Sequence, residues 1–258
     1  MYKHHEESLK ILEDMFRGRD EVIALVFGGS VAKGVERVDS DLDAMVIVTP
    51  EYFEERMREN RTAECIFECT YEGGYFDIKY MTKEYLMQAA EKGSEPTRNS
   101  FVKSRVLFSS DEGIVARIPV FQEREREEKL LSFYSDLHLN YNYFWKCCKP
   151  DGYMKIRTAS EIVYALYRLV LQENRVLFPS NRRLEDTVAG VENKPEGLVE
   201  NCREFCETMD SELLDRIVES YHKWTGYDYP KDNNICSSQY GMDFEKWWLY
   251  PRPLIGEW

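Results

Sequence analysis

The chain has 258 residues, with 47 acidic against 34 basic side chains and a formal net charge of -13. It is long enough for two modest domains with separate cores, and its acidity argues against a protein that grips nucleic acid, where phosphate neutralisation supplies most of the affinity. No apolar run approaches the length a bilayer span requires, and the seven scattered cysteines, at 65, 69, 147, 148, 202, 206 and 236, do not read as a disulfide framework. Cys202 and Cys206 lack a second pair at ligand spacing, so zinc is not expected. The start, Met1 to Glu7, has no apolar segment of the signal-peptide kind. Reduced thiols and a cytoplasmic location are the expectation.

In chain order, residues 5–17 set Leu9, Leu12, Met15 and Phe16 at helical spacing and stop at Gly18. Val22 to Phe27 is a short apolar run that ends in Gly28-Gly29-Ser30, the pattern of a buried strand entering a tight turn whose backbone can approach a ligand closely. Re-entry as a helix around Ser30 to Lys33 would aim free N–H groups and the Ser30 hydroxyl at an anion. Lys33 is either a point charge for that anion or a solvated helix lysine. Asp41 and Asp43 open the next apolar strand, Ala44 to Val48, and residues two apart on a strand share a face. Two carboxylates about 5 Å apart at an effective dielectric near 20 repel by roughly 3 kcal/mol, a cost that a divalent cation relieves. Magnesium suits such a pair, because it takes hard oxygen ligands and completes its shell with water and phosphate. The plainer alternative is an Asx-type turn with Asp43 solvated at a strand end.

Thr49-Pro50 supplies a capping hydroxyl and a first-turn proline for a helix to about residue 60. Cys65 to Tyr71 and Tyr75 to Met81 read as a hairpin joined around 72–74, followed by a helix over 82–92 that Gly93 closes. The stretch 98–113 is transitional, and Arg98, Lys103 and Arg105 there are either phosphate-reaching bases or a solvated edge. Pro119 marks the boundary between domains at 1–118 and 119–258. Beyond it, Glu123 to Lys129 reads as a solvated helix face with i,i+4 ion pairs. Leu130, Phe133, Tyr134, Leu137, Tyr141, Phe144 and Trp145, then Ile162, Ala165, Leu166, Leu169 and Val170, recur at threes and fours as the core of a helical bundle. The aromatic tail, with Trp247, Trp248 and Trp258, is expected to pack on that bundle, with a lid or a dimer contact as the alternatives.

The compound pattern of apolar strand, Gly28-Gly29-Ser30, polar spacer and Asp41-Leu42-Asp43 before an apolar strand resembles the DNA polymerase beta-like nucleotidyltransferase superfamily. The resemblance implies an α+β fold, a mixed sheet with flanking helices, followed by a C-terminal helical domain. It also implies a third acid on a later strand between apolar residues. Phe76-Asp77-Ile78 fits, with Phe67-Glu68-Cys69 as the rival; the shorter side chain and the family pattern favour Asp77 as the ligand and make Glu68 the candidate general base. Asp136 and Asp186 are further candidates for that base. The implied chemistry is attack by a hydroxyl on the alpha-phosphate of a nucleoside triphosphate, ATP by family habit, with two magnesium ions held by Asp41, Asp43 and Asp77. Gly28, Gly29, Ser30 and Lys33 would hold the phosphates.

The segment Tyr164 to Leu184 is similar to the C-terminal helical domains of bacterial small-molecule nucleotidyltransferases, with Arg182 or Arg183 where a lysine is usual. An acidic protein attracts cationic small molecules, which fits an acceptor of the aminoglycoside or lincosamide antibiotic class. Transfer to a protein or tRNA, or a catalytically idle module on the same fold, are the alternatives; intact Ser30, Asp41 and Asp43 speak against the last. Monomer and homodimer both stay open.

Overall fold

The computed structural model describes residues 1–114, 123–250 and 255–256. The expected boundary at Pro119 and the tail residue Trp258 lie outside them. The chain divides into two compact units, Met1–Val120 and Phe121–Trp258.

The first unit is a five-stranded mixed sheet with helices. Its elements run α1 (Lys3–Phe16), β1 (Val22–Phe27), α2 (Gly29–Lys33), β2 (Leu42–Val48), α3 (Pro50–Arg58), β3 (Ala63–Ile66), β4 (Phe76–Met81), α4 (Lys83–Lys92), α5 (Glu95–Asn99) and β5 (Arg105–Ser109). The strand order is β3-β4-β2-β1-β5. β2 and β4 are parallel, and the other neighbours are antiparallel. The apolar runs of β1 and β2 form the centre because both of their faces are covered. On one face Leu25, Phe27, Leu42, Ala44 and Val46 pack with Leu9, Leu12 and Phe16 of α1. On the other, Ala24, Val26, Met45 and Ile47 pack with Leu86 of α4 and with Phe101. Thr49 and Thr82 cap α3 and α4, each side chain accepting the backbone N–H three residues on.

Two features of this unit differ from expectation. The segment 98–113 contains a strand: β5 pairs with β1 through Phe27↔Arg105 and Leu25↔Phe108. Its local pattern is short and half-exposed, so only the neighbouring strand defines it. The hairpin is also shorter than expected. β3 ends at Ile66, because 67–75 is held elsewhere: the Thr70 hydroxyl donates to the His4 carbonyl at 3.1 Å, and its backbone N–H donates to Ser8 Oγ at 3.0 Å.

The second unit is helical: α6 (Glu123–His138) continuing as a π-helical stretch (Leu139–Cys147), then α7 (Gly152–Glu173), α8 (Asn181–Ala189), α9 (Leu198–Thr208), α10 (Ser211–Trp224) and α11 (Asn233–Phe244). Leu130, Phe133, Leu137 and Trp145 share one core with Ile162, Leu166, Leu169 and Val170. Arg168 is wholly buried there, its guanidinium 4.4 Å from the Phe133 ring centre and 4.1 Å from that of Phe178. The mixed-charge start of α6 is not a uniformly solvated face. Glu123, Glu127 and Glu128 are exposed, but Glu125 and Lys129 are buried and paired at 3.7 Å. The tail expectation also fails for Trp247 and Trp248, which remain 51% and 63% exposed.

Candidate functional site

Asp41 immediately precedes β2, Asp43 is its second residue, and Asp77 is the second residue of β4. The parallel register sets Asp43 opposite Asp77. Together the three acids offer carboxylate oxygens that all lie within 4.8 Å of one another. Among the described residues no other group of three potential ligands converges in this way, Cys202 and Cys206 included. Burial first, then Asp41 and Asp77, raise the Asp43 carboxyl to about 6 against the opposing pull of Lys79 and Lys33. Lys79 pairs with Asp77 at 3.3 Å. A half-buried carboxylate that resists ionisation beside two others is short of positive charge, and an all-oxygen donor set fits a hard divalent cation.

The glycine turn lies directly on this group. Gly28 N–H donates to the Asp43 carbonyl at 3.0 Å. Gly29 has φ +70°, and a Cβ there would fall 1.7 Å from Asp43 Oδ2, so neither the backbone angle nor the space admits a side chain. Ser30 follows on α2, half-buried. Lys33, on the same short helix, donates from Nζ to Asn99 Oδ1 at 2.6 Å, and Lys103 Nζ donates to the Lys33 carbonyl at 3.4 Å. Lys103 and Arg105 are exposed. Arg98 is neither a phosphate-reaching base nor a solvated edge: it is buried and donates from Nε to the Gly93 carbonyl at 2.9 Å.

The loop that carries Asp41 is tied down from beneath. Tyr71 donates its hydroxyl to the Ser40 carbonyl at 2.6 Å, Ser40 Oγ accepts the Arg37 N–H at 2.9 Å, and His4 Nε2 lies 2.9 Å from the Val38 carbonyl. The Asp41 carboxylate raises the pKa of the Tyr75 phenol. Asn99, Tyr71 and Tyr75 were not anticipated from the sequence. Tyr75 alone carried a signal, since it sits two residues before Asp77.

The other candidates fall elsewhere. Glu68 is exposed, in the connection after β3, and outside the group of three. Asp136 is buried in the helical unit, where its Oδ1 accepts from Asn140 Nδ2 at 2.7 Å. Burial first, then Glu161 and Asp243, push its pKa well up. It lines a cavity of about 710 Å³ with Glu161, Tyr164, Asp243 and Phe244. Asp186 lies at the surface, 3.5 Å from Arg183; Arg182 and Arg183 are both exposed. No helix among the described residues is long and apolar enough to cross a membrane.

Residues 5–108 match the nucleotidyltransferase domain family. No curated protein matches the chain. Two solved structures are loosely similar. A nucleotidyltransferase-like protein from Exiguobacterium sibiricum aligns with 98% of this chain and 84% of its own, at 11% identity and a TM-score of 0.40. A spectinomycin adenyltransferase from Enterococcus faecialis, solved with ATP and spectinomycin, aligns with 93% of this chain and 98% of its own, at 12% identity and a TM-score of 0.36. Likeness at that level carries nothing about substrate. The matched segment contains the glycine turn and all three converging acids, so the first unit carries the part of the chain that matches a nucleotidyltransferase domain.

Proposed function

We propose that the protein transfers a nucleoside monophosphate, from ATP, to a hydroxyl of a small molecule and releases pyrophosphate. The observation that carries this reading is the convergence of Asp41, Asp43 and Asp77 within 4.8 Å, directly against a turn that only glycine can form. In the proposed reaction the acceptor oxygen bonds to the alpha-phosphorus as the bond to the bridging oxygen breaks. Pyrophosphate keeps the electron pair, and the acceptor proton leaves to a carboxylate or to water. Asp41, Asp43 and Asp77 would hold magnesium, two ions in the full assembly, which supplies charge neutralisation on the triphosphate and lowers the pKa of the attacking hydroxyl. The chain's own groups do the rest. Backbone N–H groups at Gly29 and Ser30, the Ser30 hydroxyl and Lys33 orient the triphosphate, with Asn99 holding the Lys33 ammonium in place. Glu68 is assigned the acceptor proton. With Gln at 68, kcat falls if that assignment is right.

The acceptor class follows from charge. A protein carrying 47 acids against 34 bases is a poor host for a polyanionic acceptor and a good one for a cationic small molecule, including cationic antibiotics. The deciding experiment is pyrophosphate release from each nucleoside triphosphate with magnesium, against separate pools of aminoglycosides, lincosamides, nucleosides, tRNA and protein. Release that needs a small-molecule pool and vanishes in Asp41→Ala and Asp77→Ala supports the reading. Dependence on tRNA or protein replaces the acceptor, and full turnover in either variant removes the metal assignment.

A further inference from the structure

We infer that Phe67 and Tyr75 form the platform that receives the acceptor, and that the acceptor carries its reactive hydroxyl on a ring with an apolar face. The inference rests on the proposed nucleotidyl transfer and adds a binding site to it.

Phe67 directly follows Ile66, the last paired residue of β3, and Tyr75 directly precedes Phe76, the partner of Ile66 on β4. Both residues lie at the end of the β3-β4 pair beside Asp77, while Phe76 and Ile78 are buried in the core. The ring centres are 5.6 Å apart and tilted at 40°. Phe67 is 76% exposed, whereas its neighbour Ile66 packs against the core. Tyr75 joins this ring pair to the acids, since it lies two residues before Asp77 and the Asp41 carboxylate raises its phenol pKa. An isolated exposed phenylalanine requires no explanation; one packed against a tyrosine two residues from Asp77 continues the site.

The sheet order identifies the occupant. In the sequence β3-β4-β2-β1-β5, the glycine turn leaves β1, the acids sit at β2 and β4, and the ring pair lies on the β3-β4 edge. Displacement at phosphorus is in line, so the attacking oxygen and the departing pyrophosphate stand on opposite sides of the alpha-phosphorus. Pyrophosphate belongs with the turn and Lys33, on the β1 side. The attacking hydroxyl therefore comes from the β3-β4 side, where the rings are. An aromatic pair there holds a flat apolar surface, either an aromatic ring or the C–H face of a sugar, and leaves a ring hydroxyl free to reach the acids.

The test uses the full chain with magnesium and α,β-methylene-ATP, which blocks transfer, and reads binding by saturation-transfer NMR. The probes are phenyl β-D-glucopyranoside, methyl β-D-glucopyranoside and phenol. Phenyl glucoside is expected to bind wild type and to bind Phe67→Ala at least about fivefold more weakly, the lower end of what a stacking contact contributes. Phe67→Tyr is expected to restore binding, with triphosphate-analogue and Mn2+ affinities unchanged in both variants. The methyl glucoside and phenol arms tell the sugar face from the aromatic one. Failure of phenyl glucoside to bind, equal affinity in Phe67→Ala, or loss of triphosphate affinity in that variant, which would make the rings a nucleobase shelf, overturns the inference. Any of these alongside magnesium-dependent analogue binding and acceptor-dependent pyrophosphate release leaves the proposed function standing. Wild type that shows neither of those two activities removes the function and the platform together.

Discussion

Asp43 carries a conflict that makes its role measurable. Burial and two neighbouring carboxylates raise its pKa from an ordinary 3.8 to about 6. Well below pH 3.8 the group is neutral in both the folded and unfolded chain and costs nothing. As pH rises from there through 6, the unfolded chain ionises first, and the metal-free fold loses stability, by at most about 3 kcal/mol. Asp43→Asn is therefore expected to raise the melting temperature of the metal-free protein at pH 7.5, with the gain shrinking as pH falls below 6, while nucleotide transfer disappears. An unchanged melting temperature at pH 7.5 would show that no such conflict exists. Gly29→Ala works in the opposite direction. The added Cβ meets Asp43 Oδ2 and must adopt φ +70°, so a loss of about 1–3 kcal/mol and of magnesium-dependent triphosphate binding is expected by thermal melt and calorimetry. The aspartates and glycines were legible in the sequence because their chemistry depends on spacing along adjacent segments. Asn99 was not, because it reaches Lys33 across 66 positions of chain.

At the level of elements, β2 and α1 share a task that only the folded chain reveals. The 37–41 loop delivers Asp41, and it is anchored by Tyr71 from the β3-β4 connection and by His4 from α1. Tyr71→Phe removes one hydrogen bond to the Ser40 carbonyl without changing shape. Such a bond is worth about 0.5–1.5 kcal/mol, so Mn2+ affinity is expected to fall roughly two- to twelvefold, with the fold and far-ultraviolet dichroism unchanged. Affinity equal to wild type would mean that the loop holds its position without Tyr71. The same dependence on partners explains what the sequence hid. The strands β1, β2 and β4 and the capped helices α3 and α4 follow from apolar runs and capping residues. β5 owes its existence to pairing with β1, and β3 stops early because Thr70 is bound to α1. Charge patterning misread α6 for a related reason: Glu125 and Lys129 neutralise each other locally, and that allows burial on a helix whose neighbours Glu127 and Glu128 stay in water.

Over the whole molecule, a net charge of -13 sets which acceptors arrive easily. Many basic groups are already committed to acids, as in Arg56 with Glu64, Lys146 with Asp215 and Arg203 with Glu185. Lys33, Lys103 and Arg105 flank the glycine turn, and their place there suits one triphosphate rather than a nucleic-acid backbone. Release of counterions from several phosphates, the main source of affinity for tRNA, needs a stripe of bases, and the excess of acids repels the remaining phosphates. The surface potential instead concentrates cations, an effect screened beyond a Debye length of about 10 Å at 0.1 M salt. Two results should appear together. Transfer to a cationic acceptor such as kanamycin should show a KM that climbs with added salt while kcat holds, and an uncharged acceptor should show no such climb. tRNA at micromolar concentration should neither bind at physiological salt nor stimulate pyrophosphate release. Stimulation by tRNA would mean that the local bases beside the turn outweigh the charge of the whole, and a KM indifferent to salt would mean that the acceptor is recognised through its apolar face alone.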